Sequence, residues 1–463
     1  MPHRNAAPRS AHSLSVTGAL AVCTVMLLAM APAEAAPDAP AVFPLTGDAV
    51  APNGAWSWFE DERAIVDDSD PANTLLLVSC VTAAADRNDP AAGDVVLLWR
   101  NLDTGEAGAV ELRDRLQQDD HNSAALWMRP DGRYVAAYAA HHAEPKCYCR
   151  ISSRPHDPTQ WGPEQTIDVA ARATYSNLHF LGDDAGGAGR LYNFTRTDNF
   201  DPNVHWSDDG GDTWQVGGKL LTSGDSGDRP YVKYASDGRR IHFIATEQHP
   251  RDFDNSVFHG YVEGGRLHDS FGRVVDEDVT DGAAAPPAAL TPVLAAGTRV
   301  QEHDARRLWT VDLVLDAAGA PVAVLTGRAD GSVDDHRFYY ARFDGQAWRV
   351  HELAHAGGYL YGRERDYTGL AAIDPNDVNT VYVSTKLDPR SGNATPHYEL
   401  YRGVTSDGGA SWSWTAITSD SPVDNLRPIV PAWSGDETAL LWLRGRYRSY
   451  TDWDTQVVGL LNP

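Results

Sequence analysis

Short apolar runs bounded by turn residues recur along the whole chain, and helical periodicity is essentially absent. Examples are residues 134–138, 191–194, 241–245, 322–325 and 381–384, which are rich in β-branched, aromatic and small apolar side chains. The chain also carries 40 Gly, 28 Pro and 14 Trp, a composition typical of frequent turns. This pattern predicts an all-β protein built from many short strands.

One turn motif occurs twice in clear form. Residues 207–214 read SDDGGDTW and residues 405–412 read TSDGGASW. Both are Asp-boxes, β-hairpin turns in which the Asp caps backbone amides and a Gly takes a positive φ. Weaker relatives occur near Gly105, Trp161, Leu267 and Trp348, so that the motif recurs roughly every 53 to 65 residues with one longer gap.

A repeat of this length fits one four-stranded propeller blade. Six turns and one closing blade predict a single seven-bladed β-propeller with four-stranded antiparallel blades over residues 36–463. We expect residues 456–461 to pair with an early strand and close the ring, and residues 281–292 to form a surface loop within the longer gap. Two tandem β-sandwiches are the alternative, but the chain offers no linker and that fold leaves the period unexplained.

The first 35 residues have the pattern of a secretory signal. Arg4 and Arg9 precede an apolar run over residues 18–30, and Ala33-Glu34-Ala35 provides a cleavage site. We therefore predict a secreted protein, extracellular or periplasmic, with cleavage near Ala35 and no membrane association afterwards. An uncleaved anchor is the alternative.

The charge of the chain limits its partners. With 39 Lys+Arg against 64 Asp+Glu, the formal net charge is −25. Such a balance argues against nucleic acid or an anionic membrane as the main partner, and we expect a monomer. An anionic substrate would need a local basic site.

The cysteines suggest little chemistry. Cys23 leaves with the signal, and Cys80, Cys147 and Cys149 remain. Residues two apart on a strand share a face but are poorly placed to bond each other. Buried thiols or one optional disulfide are favoured over a zinc site made with the neighbouring His141 and His142. We expect no cofactor to be required for catalysis, and a structural metal stays open.

Polar clusters stand next to several predicted strands. They are Asp119-Asp120-His121-Asn122, Tyr138 with His141-His142, Thr174-Tyr175-Ser176-Asn177, Asn193 to Arg196, Arg229-Pro230-Tyr231, and Glu247 to Arg251 including His249. The innermost strands of several blades converge near the axis of a propeller. We therefore expect the chemistry there and not at the Asp-boxes, which lie towards the rim.

In this order the clusters resemble the seven-bladed propeller family that contains ulvan lyases. The resemblance covers residues 119–265 and continues more loosely through residues 367–370 and 441–457. Its members cleave rhamnose–glucuronate linkages, some by elimination and some as rhamnosidases. The resemblance implies catalytic roles for His121, His141, Tyr175 and Arg196, with His142 as the alternative to His141. Asn122, Arg229, Tyr231, His249 and Arg251 are expected to contact an anionic polysaccharide or oligosaccharide, although the last four could equally anchor loops.

These residue types suit β-elimination at a 4-linked uronate. The reaction needs a cation at the carboxylate, a base at C5 and an acid at the O4 leaving group. Arg196 can bind the carboxylate bidentately, and His121 and His141 can supply charge or move protons near neutral pH. Tyr175 can act as base or acid if a neighbouring cation lowers its pKa.

Three other functions compete with the lyase. A glycoside hydrolase of the rhamnosidase type would use the same pocket, and a glycan-binding propeller would use the aromatic residues without catalysis. A sialidase is disfavoured because no Arg-Ile-Pro motif precedes the Asp-boxes.

The adjacent Asp119 and Asp120 form a poor acid–base couple, and we expect them to shape the loop or orient His121.

Overall fold

The computed structural model describes residues 41–84, 92–224, 226–435 and 437–463. The predicted signal segment and its cleavage site lie outside these residues. The described strands form seven antiparallel sheets, which are the seven blades of one propeller. The predicted fold class is confirmed.

Each blade runs outward from an inner strand. Blade 1 contains β2 (Ala64–Asp67), β3 (Leu75–Val81), β4 (Val95–Asn101) and β5 (Ala107–Arg113). Blade 2 contains β6 (Ala125–Met128), β7 (Tyr134–Tyr138), β8 (Lys146–Ile151) and β9 (Gln165–Asp168). Blade 3 contains β10 (Thr174–Leu181), β11 (Arg190–Arg196), β12 (Pro202–Ser207) and β13 (Gln215–Lys219).

The other blades follow in chain order. Blade 4 contains β14 (Val232–Ser236), β15 (Ile241–Thr246), β16 (Val257–Glu263), β17 (Arg266–Asp269) and β18 (Val274–Asp276), with β19 (Thr291–Leu294) added to β16. Blade 5 contains β21 (His303–Leu315), β22 (Pro321–Ala329), β23 (His336–Phe343) and β24 (Trp348–Gly357), with the short β20 (Arg299–Val300) added to the start of β21. Blade 6 contains β25 (Ala371–Ile373), β26 (Thr380–Leu387), β27 (Ala394–Val404) and β28 (Ser413–Ala416).

Blade 7 joins the two ends of the described chain. It contains β29 (Asp424–Ile429), β30 (Ala439–Ser449), β31 (Asp452–Leu461) and, as its outer strand, β1 (Phe43–Pro44). Phe43 pairs with Gly459 and Pro44 with Val458. The expected closure of the ring by the C-terminal strand is therefore confirmed.

Helical structure in the described part of the chain is confined to single turns. The short helix α1 spans Asp184–Gly187, and 3-10 turns occur at Asp120–Asn122, Asp198–Phe200 and Pro287–Ala289. The last of these lies in the segment expected to be a surface loop, residues 281–292, half of which are exposed and of which the last two begin strand β19. None of the described helices is long and apolar enough to cross a membrane.

The core lies between neighbouring blades. The second strand of a blade is covered on both faces, and all seven residues of β3 are buried. A strand buried on both faces becomes a continuous apolar run. This explains why the apolar runs recognised in the sequence coincide with the second strands β7, β11, β15, β22 and β26.

The Asp-boxes form the same turn twice. In the first box Asp209 accepts hydrogen bonds from the backbone amide and hydroxyl of Thr213, at 2.8 and 2.6 Å. In the second box Asp407 accepts the same pair from Ser411, at 2.9 and 2.6 Å. Both turns join the third and fourth strands of a blade.

The weaker relatives of the motif occupy equivalent positions. The turns near Gly105, Trp161, Leu267 and Trp348 also join third and fourth strands. Six such turns occur because the third and fourth strands of blade 7, β31 and β1, come from opposite ends of the chain. The period in the sequence is therefore the blade repeat.

The three cysteines among the described residues are free thiols. Cys80, Cys147 and Cys149 are all buried, and burial raises the pKa of each. Cys147 and Cys149 face the apolar core of blades 2 and 3. The favoured alternative, buried thiols, is the one found, and these two thiols are not directed at a metal.

We predict that Gly409 is essential to the second Asp-box. Its φ is +97°, and an added Cβ would collide with the Tyr340 ring. Gly408→Ala is the matched control, since its φ is +73° but no atom lies within 4 Å of the added Cβ. Backbone strain costs about 1–2 kcal/mol in either variant, and overpacking adds roughly 1–3 kcal/mol at Gly409. Urea unfolding of both variants checks this; equal losses would contradict it.

Candidate active site

The predicted catalytic residues meet on one face of the propeller. Inner strands run in the same direction around the axis, so their first residues converge. His121 precedes β6, Tyr175 is the second residue of β10, and Tyr231 precedes β14. Second strands return to the same face, which brings Arg196 at the end of β11 opposite Thr174. Residues from three blades therefore share one site.

Two stacked imidazoles form its centre. The rings of His121 and His141 lie 4.1 Å apart between centroids, at 20°. His121 Nδ1 lies 2.6 Å from Asp119 Oδ1, and His141 Nδ1 lies 2.8 Å from Asp119 Oδ2. Asp120 Oδ1 lies 3.0 Å from His121 Nδ1. His121 is buried, whereas 22% of the His141 side chain is exposed.

The two histidines have opposite charge preferences. Burial opposes a charge on His121, but Asp119 and Asp120 outweigh it and raise its pKa to about 10. Burial and then the positive charge of His121 lower the pKa of His141 to about 4, against the attraction of Asp119. At neutral pH the pair therefore holds one imidazolium, His121, and one neutral imidazole, His141.

Tyr175 sits in a distorted segment of β10. The register with β11 shifts between Thr174 and Asn177, and Tyr175 has a φ of +67°. Bulges of this kind redirect side chains next to active sites, and the strain marks a functional position. The Tyr175 ring lies 5.6 Å from the His121 ring and stacks with it.

The condition set for Tyr175, a pKa brought below the ordinary value by a neighbouring cation, is not met. Burial raises this pKa well above the ordinary value, and Arg196 offsets only part of the effect. The hydroxyl is shielded from water and has no hydrogen-bond partner. Tyr175 is therefore a neutral phenol with a free proton to donate.

Arg196 is buried without an acidic partner. Its guanidinium carbon lies 4.8 Å from the Tyr175 ring centroid and 5.4 Å from that of Tyr231. Nε and Nη1 are buried and have no hydrogen-bond partner. Among the described residues no carboxylate lies within ion-pair distance of it. A buried cation in this condition is costly unless an anion binds beside it.

The other buried arginines near the axis are paired. Arg427 Nη1 lies 2.6 Å from Asp120 Oδ2, and the Tyr447 hydroxyl donates to the same oxygen at 2.6 Å. Arg63 Nε donates to Glu60 Oε2 at 3.2 Å. Burial raises the pKa of Glu60 to about 7, despite the charge of Arg63. Arg196 is the exception in this group.

Aromatic side chains form the floor beside these groups. Phe59 lies between Tyr231, Trp309 and Tyr367, with ring centroids 4.6, 5.2 and 5.3 Å away. It also lies 5.7 Å from the His121 ring. These four residues belong to one buried apolar cluster, which also includes the Tyr175 ring, so the polar groups of the site rest on an apolar surface.

The five predicted contact residues differ in how deeply their side chains are buried. Asn122 is buried, and its side chain bonds Gln117 O and the backbone amide of His141, both at 2.8 Å. Tyr231 and His249 are buried with ring centroids 5.1 Å apart. Arg251 Nη1 bonds Glu364 Oε1 at 2.6 Å, and Arg229 lies half-exposed, 3.5 Å from Asp252. Arg229, Tyr231, His249 and Arg251 border the Arg196 side of the site.

This face is locally basic despite the acidic chain. Burial first, and then Arg251, Arg229 and Arg196, lower the pKa of His249 to about 2. Burial together with Arg196, Arg172 and Arg229 lowers the pKa of His142. The positive potential that an anionic substrate would require is present here.

One cluster in the site has donor atoms spaced as for a metal ion. Single donor atoms of Asp119, His121 and His141 lie within 4.8 Å of one another. The two imidazole Nδ1 atoms are, however, already at hydrogen-bond distance from the Asp119 oxygens. The arrangement is that of a hydrogen-bonded cluster, and we assign no metal to it.

Several site residues gave no local signal in the sequence. Phe59, Glu60 and Trp309 are single residues in unremarkable segments. Arg427 and Tyr450 come from the last blade, more than 300 residues from His121. Tyr450 makes an edge contact with both histidine rings, at 5.4 and 5.8 Å. Polar residues that stand next to apolar runs can be recognised in the sequence. The residues named here join the site only because the ring closes.

Comparison with known protein families identifies the family to which the repeats belong. The profile described as "BNR repeat-containing family member" matches residues 85–356. No curated protein sequence matches the chain.

Solved structures share the fold at low identity. An ulvan lyase described as a polysaccharide lyase bound to -[GlcA(1-4)Rha3S]- is 15% identical, with 88% of this chain and 92% of that chain covered and a TM-score of 0.59. A second ulvan lyase structure is 14% identical, with 89% and 94% covered and a TM-score of 0.59. An α-L-arabinofuranosidase from Fusarium graminearum is 13% identical, with 73% and 91% covered and a TM-score of 0.43.

Replacing Arg196 should remove a cost to stability. Arg196→Met deletes an unpaired buried charge but also its contacts with two rings, so the free energy of unfolding should stay equal or rise. Arg427→Met is the control, since it breaks the buried ion pair with Asp120, leaves that carboxylate only Tyr447 and His121 as partners, and should cost about 3–5 kcal/mol. Chemical denaturation of both variants tests this. A loss at Arg196 as large as that at Arg427 would show that Arg196 serves the fold.

Proposed function

The chain belongs to the BNR repeat-containing family, and on that premise we propose that it is an exported polysaccharide lyase. Its substrate is a polymer or oligosaccharide with rhamnose–glucuronate linkages, and it cleaves the bond to O4 of the uronate by β-elimination. The shared fold with ulvan lyases and the basic face in a chain of net charge −25 support this proposal.

The buried, unpaired guanidinium of Arg196 carries the proposal. A uronate carboxylate would accept one hydrogen bond from the free Nε or Nη1 and a second from the adjacent Nη2, which is the bidentate geometry of an arginine fork. Neutralising that carboxylate makes the C5 proton more acidic and stabilises the enolate-like intermediate. The low local dielectric strengthens this interaction.

The remaining groups supply the two proton transfers. Neutral His141, whose Nδ1 is held by Asp119, takes the C5 proton on Nε2. Tyr175, a neutral phenol, donates its proton to O4 as the C4–O4 bond breaks. Imidazolium His121 adds positive charge beside the developing enolate. Each role follows from the protonation state that burial and neighbouring charges favour.

Hydrolysis of the same linkage is less well supported. Most glycoside hydrolases use two carboxyl groups on either side of the bond. Glu60 has a raised pKa suitable for an acid, but its side chain is buried and bonded to Arg63 and Ser123. Arg196 would also lack a role.

Product analysis separates the two reactions. The protein is incubated with ulvan and with a plant gum that carries rhamnose–glucuronate ends. Elimination leaves a conjugated double bond in the uronate, which absorbs in the ultraviolet. Reducing ends without that absorbance would mean hydrolysis, and binding without either product would mean a glycan-binding propeller.

Tyr175→Phe should abolish most elimination without weakening the fold. The hydroxyl has no partner in the protein, so only the proton donor is lost. Loss of a general acid lowers kcat by about 10²–10⁴-fold. Tyr382→Phe, a buried tyrosine on β26 away from the axis, is the control and should keep full activity. Near-full activity of Tyr175→Phe on a confirmed substrate would refute the acid role.

The pH profile should be unusually broad. His141 must be neutral to act as base, so kcat/KM should rise as pH rises through about 4. His121 must be charged, so kcat/KM should fall as pH rises through about 10. Initial rates across this range check the assignment. A single limb near the ordinary histidine pKa of about 6.5 would contradict it.

A further inference from the structure

We propose that Asp119 is a positioning residue: its single carboxylate holds both catalytic imidazoles by Nδ1, so that each ring presents Nε2 on the side away from the carboxylate. The role of those Nε2 atoms in the reaction rests on the proposed function. The contacts themselves do not, which allows the two ideas to be tested separately.

The geometry of Asp119 is that of a clamp. The residue is 2% exposed, and each carboxylate oxygen serves a different ring, at 2.6 Å for His121 and 2.8 Å for His141. Oδ1 also accepts the His121 backbone amide at 3.1 Å and caps the 3-10 turn Asp120–Asn122. Turn, carboxylate and both rings are therefore fixed together, and the stacking at 4.1 Å follows from this arrangement.

The surroundings of the two rings make them unequal. His121 faces Asp119, Asp120, Glu60, Tyr175, Tyr450 and His141. His141 faces Asp119, His121, Arg196 and Tyr450. Two acidic side chains contact the first ring, whereas the second shares one of them and also faces a guanidinium. The additional proton therefore belongs to His121, and His141 keeps its proton on Nδ1 and a lone pair on Nε2.

An asparagine at this position cannot reproduce the clamp. Its amide offers one oxygen and one NH₂ group, so one imidazole would face a donor instead of an acceptor. A neutral ring that accepts at Nδ1 must carry its proton on Nε2. If that ring is His141, its Nε2 loses the lone pair. If it is His121, the charge on that ring is disfavoured. Either outcome disables the pair without removing a histidine.

Asp119→Asn and Asp67→Asn form a matched pair of variants. Asp67 is also buried and lies 2.7 Å from a histidine Nδ1, that of His156, but it stands at the far end of β2 from the site. Histidine-labelled full-length protein is followed by ¹⁵N NMR to read the tautomer and charge of each ring. Steady-state kinetics on the confirmed substrate separates kcat from KM.

In the unmodified protein both His121 and His141 should be protonated on Nδ1, with Nε2 of His141 unprotonated. Asp119→Asn should change the tautomer or charge of one of them and lower kcat by about 10²–10⁴-fold with little change in KM. Asp67→Asn should leave both rings and kcat unchanged. This measurement on the unmodified protein does not depend on whether either variant folds.

Two results would overturn the proposal. The first is an Nε2-protonated neutral His141 in the unmodified protein. The second is an Asp119→Asn variant with unchanged ring states and unchanged kcat. If no substrate undergoes elimination but Asp119→Asn still changes the ring states, the clamp stands and the proposed function fails.

Discussion

Closure of the ring is the constraint on which the site depends. Strand β1 supplies the outer edge of blade 7, and the segment after it continues the connection: Leu45 N donates to Val457 O at 2.9 Å, and the Thr455 hydroxyl donates to Gly54 O at 2.7 Å. This pairing ties the segment before the first blade into the last blade, and the closed ring fixes where each inner strand begins. Phe59 near one end of the described chain and Arg427 and Tyr450 near the other therefore meet beside the His121 loop.

The interior that this closure creates is unusually polar for a protein core. Asp120, buried beside the axis, accepts from Arg427 and Tyr447 of blade 7 while it contacts His121 of blade 2. Such networks are stabilising only when their members are satisfied. The buried Arg63 and Arg427 each have a carboxylate beside them, whereas among the described residues no carboxylate lies within ion-pair distance of Arg196. A buried cation without a counter-ion indicates where an anionic ligand completes the network.

Backbone irregularity supports the same groups. Tyr175 and Arg427 both have positive φ and both lie where the register of an inner strand shifts. A regular strand would alternate these side chains between the two faces of the sheet. The bulges instead turn them towards the axis, at a cost that the surrounding packing sustains.

The sequence by itself determined the repeat and part of the site. Middle strands are buried on both faces and become visible apolar runs, and β7 was delimited at both ends as residues 134–138. Asp-box turns need particular residues at fixed spacing, so they too can be recognised from a short stretch of the sequence. His121, His141, Tyr175 and Arg196 stand next to such runs. Tertiary structure alone decided the protonation states, namely which imidazole is charged and that Tyr175 stays a neutral phenol. It also decided that Arg427 contacts Asp120 and that Tyr450 contacts the two histidines. Those properties arise from burial and from contacts between blades distant in sequence, and neither leaves a local pattern.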